Sequence, residues 1–132
     1  MSQENVEVFM RVVDAYNRRD FDGFAASFDP GGEWYPATVP VEGGEAYIGH
    51  RGLERWWANV DAAFQDFQAN VEDIRDRDDT IVALGRIRGQ FRSGVDFDIE
   101  VGWVVRFRDG LAVHGQAFFS HSDTLEAAGL RE

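Results

Sequence analysis

The chain has 132 residues, 44% of them apolar and 14% aromatic, which is enough to bury one domain core and too much for a disordered tail. Thirteen basic residues against twenty-four acidic ones give a net charge of −11, a surface that repels nucleic-acid backbones and anionic lipid headgroups alike. Every basic residue is arginine and there is no cysteine, so Schiff-base lysines, a Walker-loop lysine, thiol nucleophiles, thiolate metal sites and disulfides are all excluded.

Apolar residues Val6, Phe9, Val13 and Tyr16 recur at helical spacing, with acids early and Arg18-Arg19 late, and predict an amphipathic helix from Ser2 to Arg19. Asp20 is placed to cap a second, short helix carrying Phe21, Phe24 and Phe28, with Pro30-Gly31-Gly32 as its stop. An extended run from Glu33 to Thr38 leads into an irregular flap marked by Pro36, Pro40 and Gly43-Gly44 and ending at Gly49. A third helix is expected after Gly52, with a wide stripe of Leu53, Trp56, Trp57, Val60, Phe64 and Phe67.

The remainder reads as strands: Val71 to Arg75, Thr80 to Phe91, Val95 to Phe107 and a last one to about Ser120. The run from Val95 to Phe107 has an apolar residue at every odd position, so one face is buried and the other wet. Extended, its thirteen residues would span roughly 43 Å at about 3.3 Å per residue, so the strand must bend. Gly85, Gly89 and Gly102 supply the places. Asp109-Gly110 predicts a two-residue hairpin, and Asp123 with Glu126 is expected to cap a short terminal helix ending at Gly129. Without linker or repeat, residues 1–132 read as a single α+β unit: a cone-shaped half-barrel with N-terminal helices packed in the concave face of a strongly curved, mainly antiparallel sheet.

Hairpin arithmetic then nominates the residues inside the cone. Pairing Arg108 with Leu111 and continuing without interruption sets Val105 opposite His114, Trp103 opposite Gln116 and Val101 opposite Phe118. Opposed residues share a face, so His114, Gln116, Trp103 and Phe118 are expected to look inward. His114 is then the candidate general base, with Gln116 and Tyr35 as donors and Trp103 and Phe118 as walls. Trp34 and Tyr35 point opposite ways, and so short a run does not settle which is inward. His50 either lines the mouth or caps the third helix, and Tyr16 either touches ligand or completes the core. His50, His114 and His121 lack metal-ligand spacing, so neither a metal nor any other cofactor is expected. Ser120-His121-Ser122-Asp123 collects triad residue types, but a strand exit followed by a helix cap accounts for it. With no basic-then-apolar leader and no apolar run near 20 residues, the expected location is the cytoplasm.

Asn5-Val6-Glu7, the stretch from Ala15 to Asp22, Glu33-Trp34-Tyr35-Pro36, the stretch from Tyr47 to Gly52, Phe107-Arg108-Asp109-Gly110 and the stretch from Leu125 to Leu130 together resemble a SnoaL-like protein of the nuclear-transport-factor-two-like superfamily, over nearly the whole chain. The resemblance implies a cone-shaped α+β barrel, often a homodimer through the outer sheet face. Its deep pocket serves polyketide cyclases, ketosteroid isomerases, dehydratases, epoxide hydrolases or no catalysis at all. Fold alone does not choose among these. By this resemblance the isomerase tyrosine falls on Val12, its general-base aspartate on Tyr35 and its protonated aspartate on Trp103; the cyclase histidine falls near Trp103 and the cyclase aspartate near Gln116 or Ala117. None of those roles is filled.

Two readings follow. One is a cofactor-independent enzyme acting on a small, largely apolar, oxygen-bearing molecule; the other is a non-catalytic ligand-binding or dimerisation module with a filled or vestigial pocket. Neither involves nucleic acid or a membrane.

Overall fold

The computed structural model describes residues 2–37 and 45–130, so the Pro40 and Gly43-Gly44 part of the expected flap lies outside it. In chain order it contains α1 (Ser2–Asn17), α2 (Phe21–Ala26), β1 (Phe28–Tyr35), β2 (Tyr47–Ile48), α3 (Gly49–Ala63), β3 (Phe64–Arg77), β4 (Thr80–Phe91), β5 (Asp96–Arg108), β6 (Leu111–Phe118) and α4 (His121–Ala127). The strands form one sheet in the order β2-β1-β6-β5-β4-β3. β1 runs parallel to β6, and every other neighbouring pair is antiparallel. The sheet is mixed, open and curled, the expected cone-like α+β half-barrel.

The concave face is where the helices bury their stripes. Phe9 and Val13 of α1, Phe24 of α2, and Leu53 and Trp56 of α3 share one buried cluster with Ile81, Val101 and Trp103 of the sheet. Asn17 ties the end of α1 to β3: its Oδ1 accepts from the Ala69 N–H at 2.8 Å and its Nδ2 donates to the Ala69 carbonyl at 2.9 Å. One side-chain amide thus completes both backbone groups of a strand residue.

Curvature has a local cause. The β3–β4 register shifts between Phe64 and Asp66 and between Val71 and Asp73, and next to those bulges stand Gly89, paired with Phe67, and Gly85, paired with Val71. A Cβ on either glycine would run into the β3 backbone, at Asp66 and Asn70 respectively. Glycine is required there so that the neighbouring strand can bend across it. At the Asp109-Gly110 turn both residues have positive φ, 54° and 78°, and Arg108 pairs with Leu111 as expected.

Several expected boundaries move. Pro30-Gly31-Gly32 lies inside β1, where the β1–β6 register shifts between Phe28 and Glu33, and α2 has already stopped at Ala26. α3 begins at Gly49 and ends at Ala63, and Phe64 and Phe67 belong to β3. The spacing Val60, Phe64, Phe67 suits a helix face while Phe67, Ala69, Val71 suits a strand face, and cross-strand packing of Phe64 on Phe91 and Phe97, at 5.1 and 5.2 Å between centroids, decides for the strand. The cap of α4 is Ser120, whose hydroxyl accepts from the Asp123 N–H at 2.9 Å, so Asp123 sits in the first turn.

α4 lies on the convex side. Leu125 packs with Val82 and Leu84, joined by Val104, Ala128 and Leu130. His121 anchors the helix start: its backbone N–H donates to Glu100 Oε1 at 2.8 Å and its Nε2 to the Gly85 carbonyl at 2.8 Å. Among the described residues no helix is long and apolar enough to cross a membrane.

Candidate functional site

Between the helices and the concave sheet lies a cavity of about 510 Å³. α1 supplies Phe9 and Tyr16 to its wall, α3 supplies Trp56, β1 supplies Trp34, and β5 supplies Val101 and Trp103. The lining residues that are themselves exposed are Asn59, Ala63, Phe91, Ile99 and Phe119, which puts the mouth between the end of α3, the β4–β5 hairpin and the exit from β6. Arg92 fastens two of these together: its N–H donates to the Ala63 carbonyl at 3.1 Å and its Nε to the Asp61 carbonyl at 2.7 Å. Phe64, Phe91 and Phe97 form an aromatic collar beside this latch, their centroids 4.9 to 5.2 Å apart.

Of the expected site residues, Trp34, Trp103 and Tyr16 line the cavity. The inward member of the Trp34–Tyr35 pair is Trp34, which is buried. Its ring needs the small residue opposite: a Cβ on Gly115 would stand 3.0 Å from Trp34 Cε3.

The other expectations are corrected by one extra residue. Between the pairs Phe107–Ala112 and Arg106–His114 the β5–β6 register shifts, leaving Val113 unmatched. Beyond this bulge Val105 faces Gly115 and Trp103 faces Ala117, so the inward residues of β6 are small. His114, Gln116 and Phe118 turn to the convex face, because a shift of one residue exchanges the two faces of a strand. Tyr35 is on that face too; its ring lies 5.2 Å from the His114 ring and its hydroxyl donates to Glu33 Oε1 at 3.1 Å. That hydrogen bond to a carboxylate, the largest cause, raises the Tyr35 pKa. His50 is exposed; its Nε2 donates to the Phe28 carbonyl at 3.0 Å, tying α3 to β1, while the N-cap position of α3 is Ile48. It neither lines the mouth nor caps the helix.

What remains inside is almost entirely hydrocarbon. Among the described lining residues there is no carboxylate, imidazole, guanidinium or aliphatic hydroxyl; the polar groups are the Tyr16 phenol, the indole N–H groups of Trp34, Trp56 and Trp103, and the Asn59 amide at the mouth. Likewise no group of three or more histidines or acids among the described residues is arranged to hold a metal. Tyr16 is stacked on Trp56 at 5.8 Å and edge-on to Phe67 at 4.5 Å. Burial pushes its pKa far above the ordinary tyrosine value, the positive charge of Arg19 pulling weakly the other way. Its hydroxyl has no hydrogen-bond partner among the described residues, and the buried Trp34 Nε1 has none either. An unpaired buried polar group costs about 1–3 kcal/mol, and the Trp34 indole N–H bears it within the wall.

The inward wall of aromatic residues was missed as a site because apolar periodicity marks a core and an apolar pocket in the same way. Trp56, Phe64 and Phe91 carry the stripe signal only. The one usable cue was the small-residue set Ala112, Gly115 and Ala117 opposite the large apolar residues Phe107, Val105 and Trp103, which fits an inward face better than the histidine-bearing set does.

Comparisons with known proteins agree with this architecture. Comparison with curated proteins gives no match. Among solved structures, an NTF2-like protein of unknown function from Burkholderia pseudomallei superposes with a TM-score of 0.81 at 22% identity, covering 93% of this chain and 95% of the other. TerC, co-crystallised with polyporic acid, gives 0.79 at 20% identity, covering 93% and 96%. A putative SnoaL-like polyketide cyclase from Jannaschia sp. CCS1 gives 0.77 at 19% identity, covering 89% and 85%. At these identities the likeness is one of fold. The SnoaL-like domain profile matches residues 9–115, and with the match spanning most of the chain, this protein belongs to the SnoaL-like domain family.

Proposed function

We infer that this chain binds and holds a small, largely apolar, oxygen-bearing molecule in the cone, as a ligand-binding module without side-chain acid–base catalysis. The observation that carries the reading is the lining: an aromatic cavity of about 510 Å³ whose described residues include no group able to take up a proton near neutral pH. Tyr16, with its pKa raised by burial, stays a neutral phenol, so it donates a hydrogen bond and does not serve as a base. Enclosure of apolar surface supplies the affinity, at roughly 25 cal/mol per Å² removed from water. TerC with polyporic acid and the putative polyketide cyclase share the fold, which supports a small oxygen-bearing compound as the kind of ligand.

The same proposal makes the assembly a cytoplasmic homodimer through the convex sheet face. α4 covers Val82 and Leu84 there, leaving the β1–β6 side, with half-buried Tyr35, His114, Gln116 and Phe118, for a second copy. On this reading His114 and Tyr35 serve the convex face and not chemistry.

The test is saturable binding of a neutral apolar fluorophore, N-phenyl-1-naphthylamine, read from its emission, with wild type compared with Ala117→Trp. Ala117 lines the cavity opposite Trp103, so a large ring at that position fills it. One-to-one binding by wild type and loss in the variant, with the far-ultraviolet spectrum retained, is the expected result. Absence of saturable binding to wild type overturns the reading.

A further inference from the structure

A row of register partners crosses the convex face on three neighbouring strands: Glu33 of β1, His114 of β6 and Arg106 of β5. Residues in register share a face. The row reads acid, imidazole, base, so it is symmetrical in position about β6 and opposite in charge at its two ends. With about 4.8 Å between strands, the backbones of Glu33 and Arg106 stand about 10 Å apart, and neither side chain makes an ion pair among the described residues. Arg106 is exposed, and half-buried Glu33 accepts from the Tyr35 hydroxyl at 3.1 Å.

Such a row is complementary to itself for one direction of symmetry axis and repulsive for another. Two copies packed face to face through the same patch are related by a two-fold axis lying in the plane between them. If that axis runs across the strands, along the row, Glu33 comes to lie over the partner's Glu33 and Arg106 over the partner's Arg106. Like charges then meet twice, in a chain whose net charge of −11 already sets two copies against each other. If the axis runs along β6 at His114, the ends of the row exchange, and Glu33 lies over the partner's Arg106 while Arg106 lies over the partner's Glu33. Packed sheets usually cross at about 30°, which moves a position one strand from the axis by only about 2.5 Å, within the reach of both side chains.

The covering of the face selects the same axis. α4 stands over Leu84 and Gly102, on the β5 side of β6. A two-fold along β6 brings the second copy's terminal helix over the β1 side, which the chain's own helix leaves open. An axis across the strands carries that helix past the Asp109-Gly110 turn and leaves the β1 side uncovered.

We propose that two copies of this chain associate about a two-fold axis running along β6 at His114, held by reciprocal ion pairs of Glu33 with the partner's Arg106 and of Arg106 with the partner's Glu33. This rests on the convex-face dimer inferred above and gives it a direction and a pairing. The same arrangement sets the two His114 rings on the axis, between the ion pairs.

Charge reversal tests the pairing. Glu33→Arg and Arg106→Glu each oppose like charges at both contacts, so each alone is expected to raise the dimer dissociation constant at least about tenfold in sedimentation equilibrium. An equimolar mixture of the two variants has opposite charges at both contacts again. Native mass spectrometry of the mixture is therefore expected to show the heterodimer in preference to either homodimer, a recovery that a role for either side chain within its own chain would not produce. Glu33→Gln and Arg106→Gln keep side-chain size and serve if a reversal does not fold: each weakens the dimer, and the double variant is no weaker than either single one, because losing one partner already removes the contact. Wild type sedimenting as a monomer overturns the dimer and this symmetry with it. A wild-type dimer that tolerates both reversals, or folded reversal variants that do not recover on mixing, overturns the axis and the pairing while the convex-face dimer stands.

Discussion

Gly102 of β5 lies directly beneath Thr124 of α4, and a Cβ added to the glycine would overlap the threonine hydroxyl and methyl groups. Thr124 is fully buried and its hydroxyl donates to the Ser120 carbonyl at 2.7 Å, so it has no room to retreat within its own helix. The contact sets how closely the terminal helix approaches the convex sheet face. Gly102→Ala is therefore expected to lift α4 and cost about 1–3 kcal/mol by overpacking, measured by urea unfolding. Because the cavity is on the opposite face, ligand affinity should hold.

Asn17 makes a second long-range tie, between the end of α1 and Ala69 on β3. Asn17→Ala strands one N–H and one carbonyl and is expected to cost about 1–3 kcal/mol. Asn17→Asp should recover part of this, since a carboxylate oxygen still accepts from Ala69 N–H while no donor reaches the carbonyl. Chemical denaturation of the two variants checks the order, and equal losses would show that the accepting half of the pair, the half that Asn17→Asp keeps, contributes nothing.

Most of the architecture was legible in the residues. The alternation from Val95 to Phe107, the Asp109-Gly110 turn and the odd-position pairing of β4 with β5, Ala83 opposite Trp103 and Gly85 opposite Val101, all follow from period-two burial. The site was less legible for one reason. Val113 is apolar and sits in an apolar strand, so nothing in its identity announces that it is unmatched, yet that one residue sends His114 and Gln116 outward. Pairing inferred from a turn is correct only up to the first bulge. The α3–β3 boundary failed differently, because Phe64 and Phe67 satisfy both periodicities and only their partners Phe91 and Phe97 distinguish them.

Alkaline pH separates the tyrosines. Burial raises the pKa of Tyr16, and the hydrogen bond to Glu33 raises that of Tyr35. In both cases the folded chain holds the proton more tightly than the unfolded chain. The stabilising effect is therefore fully present below the ordinary tyrosine value of about 10 and is lost as pH rises above it. For buried Tyr16 the loss runs at up to about 1.4 kcal/mol per pH unit. Urea unfolding from about pH 9 to about pH 11 should show a steep decline in wild type and a shallower one in Tyr16→Phe. An unchanged slope would place the phenol in contact with water.

The convex placement of His114 makes the last expectation. Its ring lies against Tyr35, and its register partners are Glu33 on β1 and Arg106 on β5, all across the sheet from the cavity. His114→Ala should therefore leave the affinity for a neutral apolar probe within about twofold, whereas Ala117→Trp, three residues along the same strand and facing inward, should abolish it. If the convex face joins two copies, His114→Ala will also weaken the dimer, seen as a lower mass by light scattering on dilution. The paired measurement is decisive in both directions: loss of probe binding in His114→Ala with the dimer intact would return the imidazole to the cavity and with it the possibility of a base, while loss of the dimer with binding intact assigns the two faces of β6 their separate tasks.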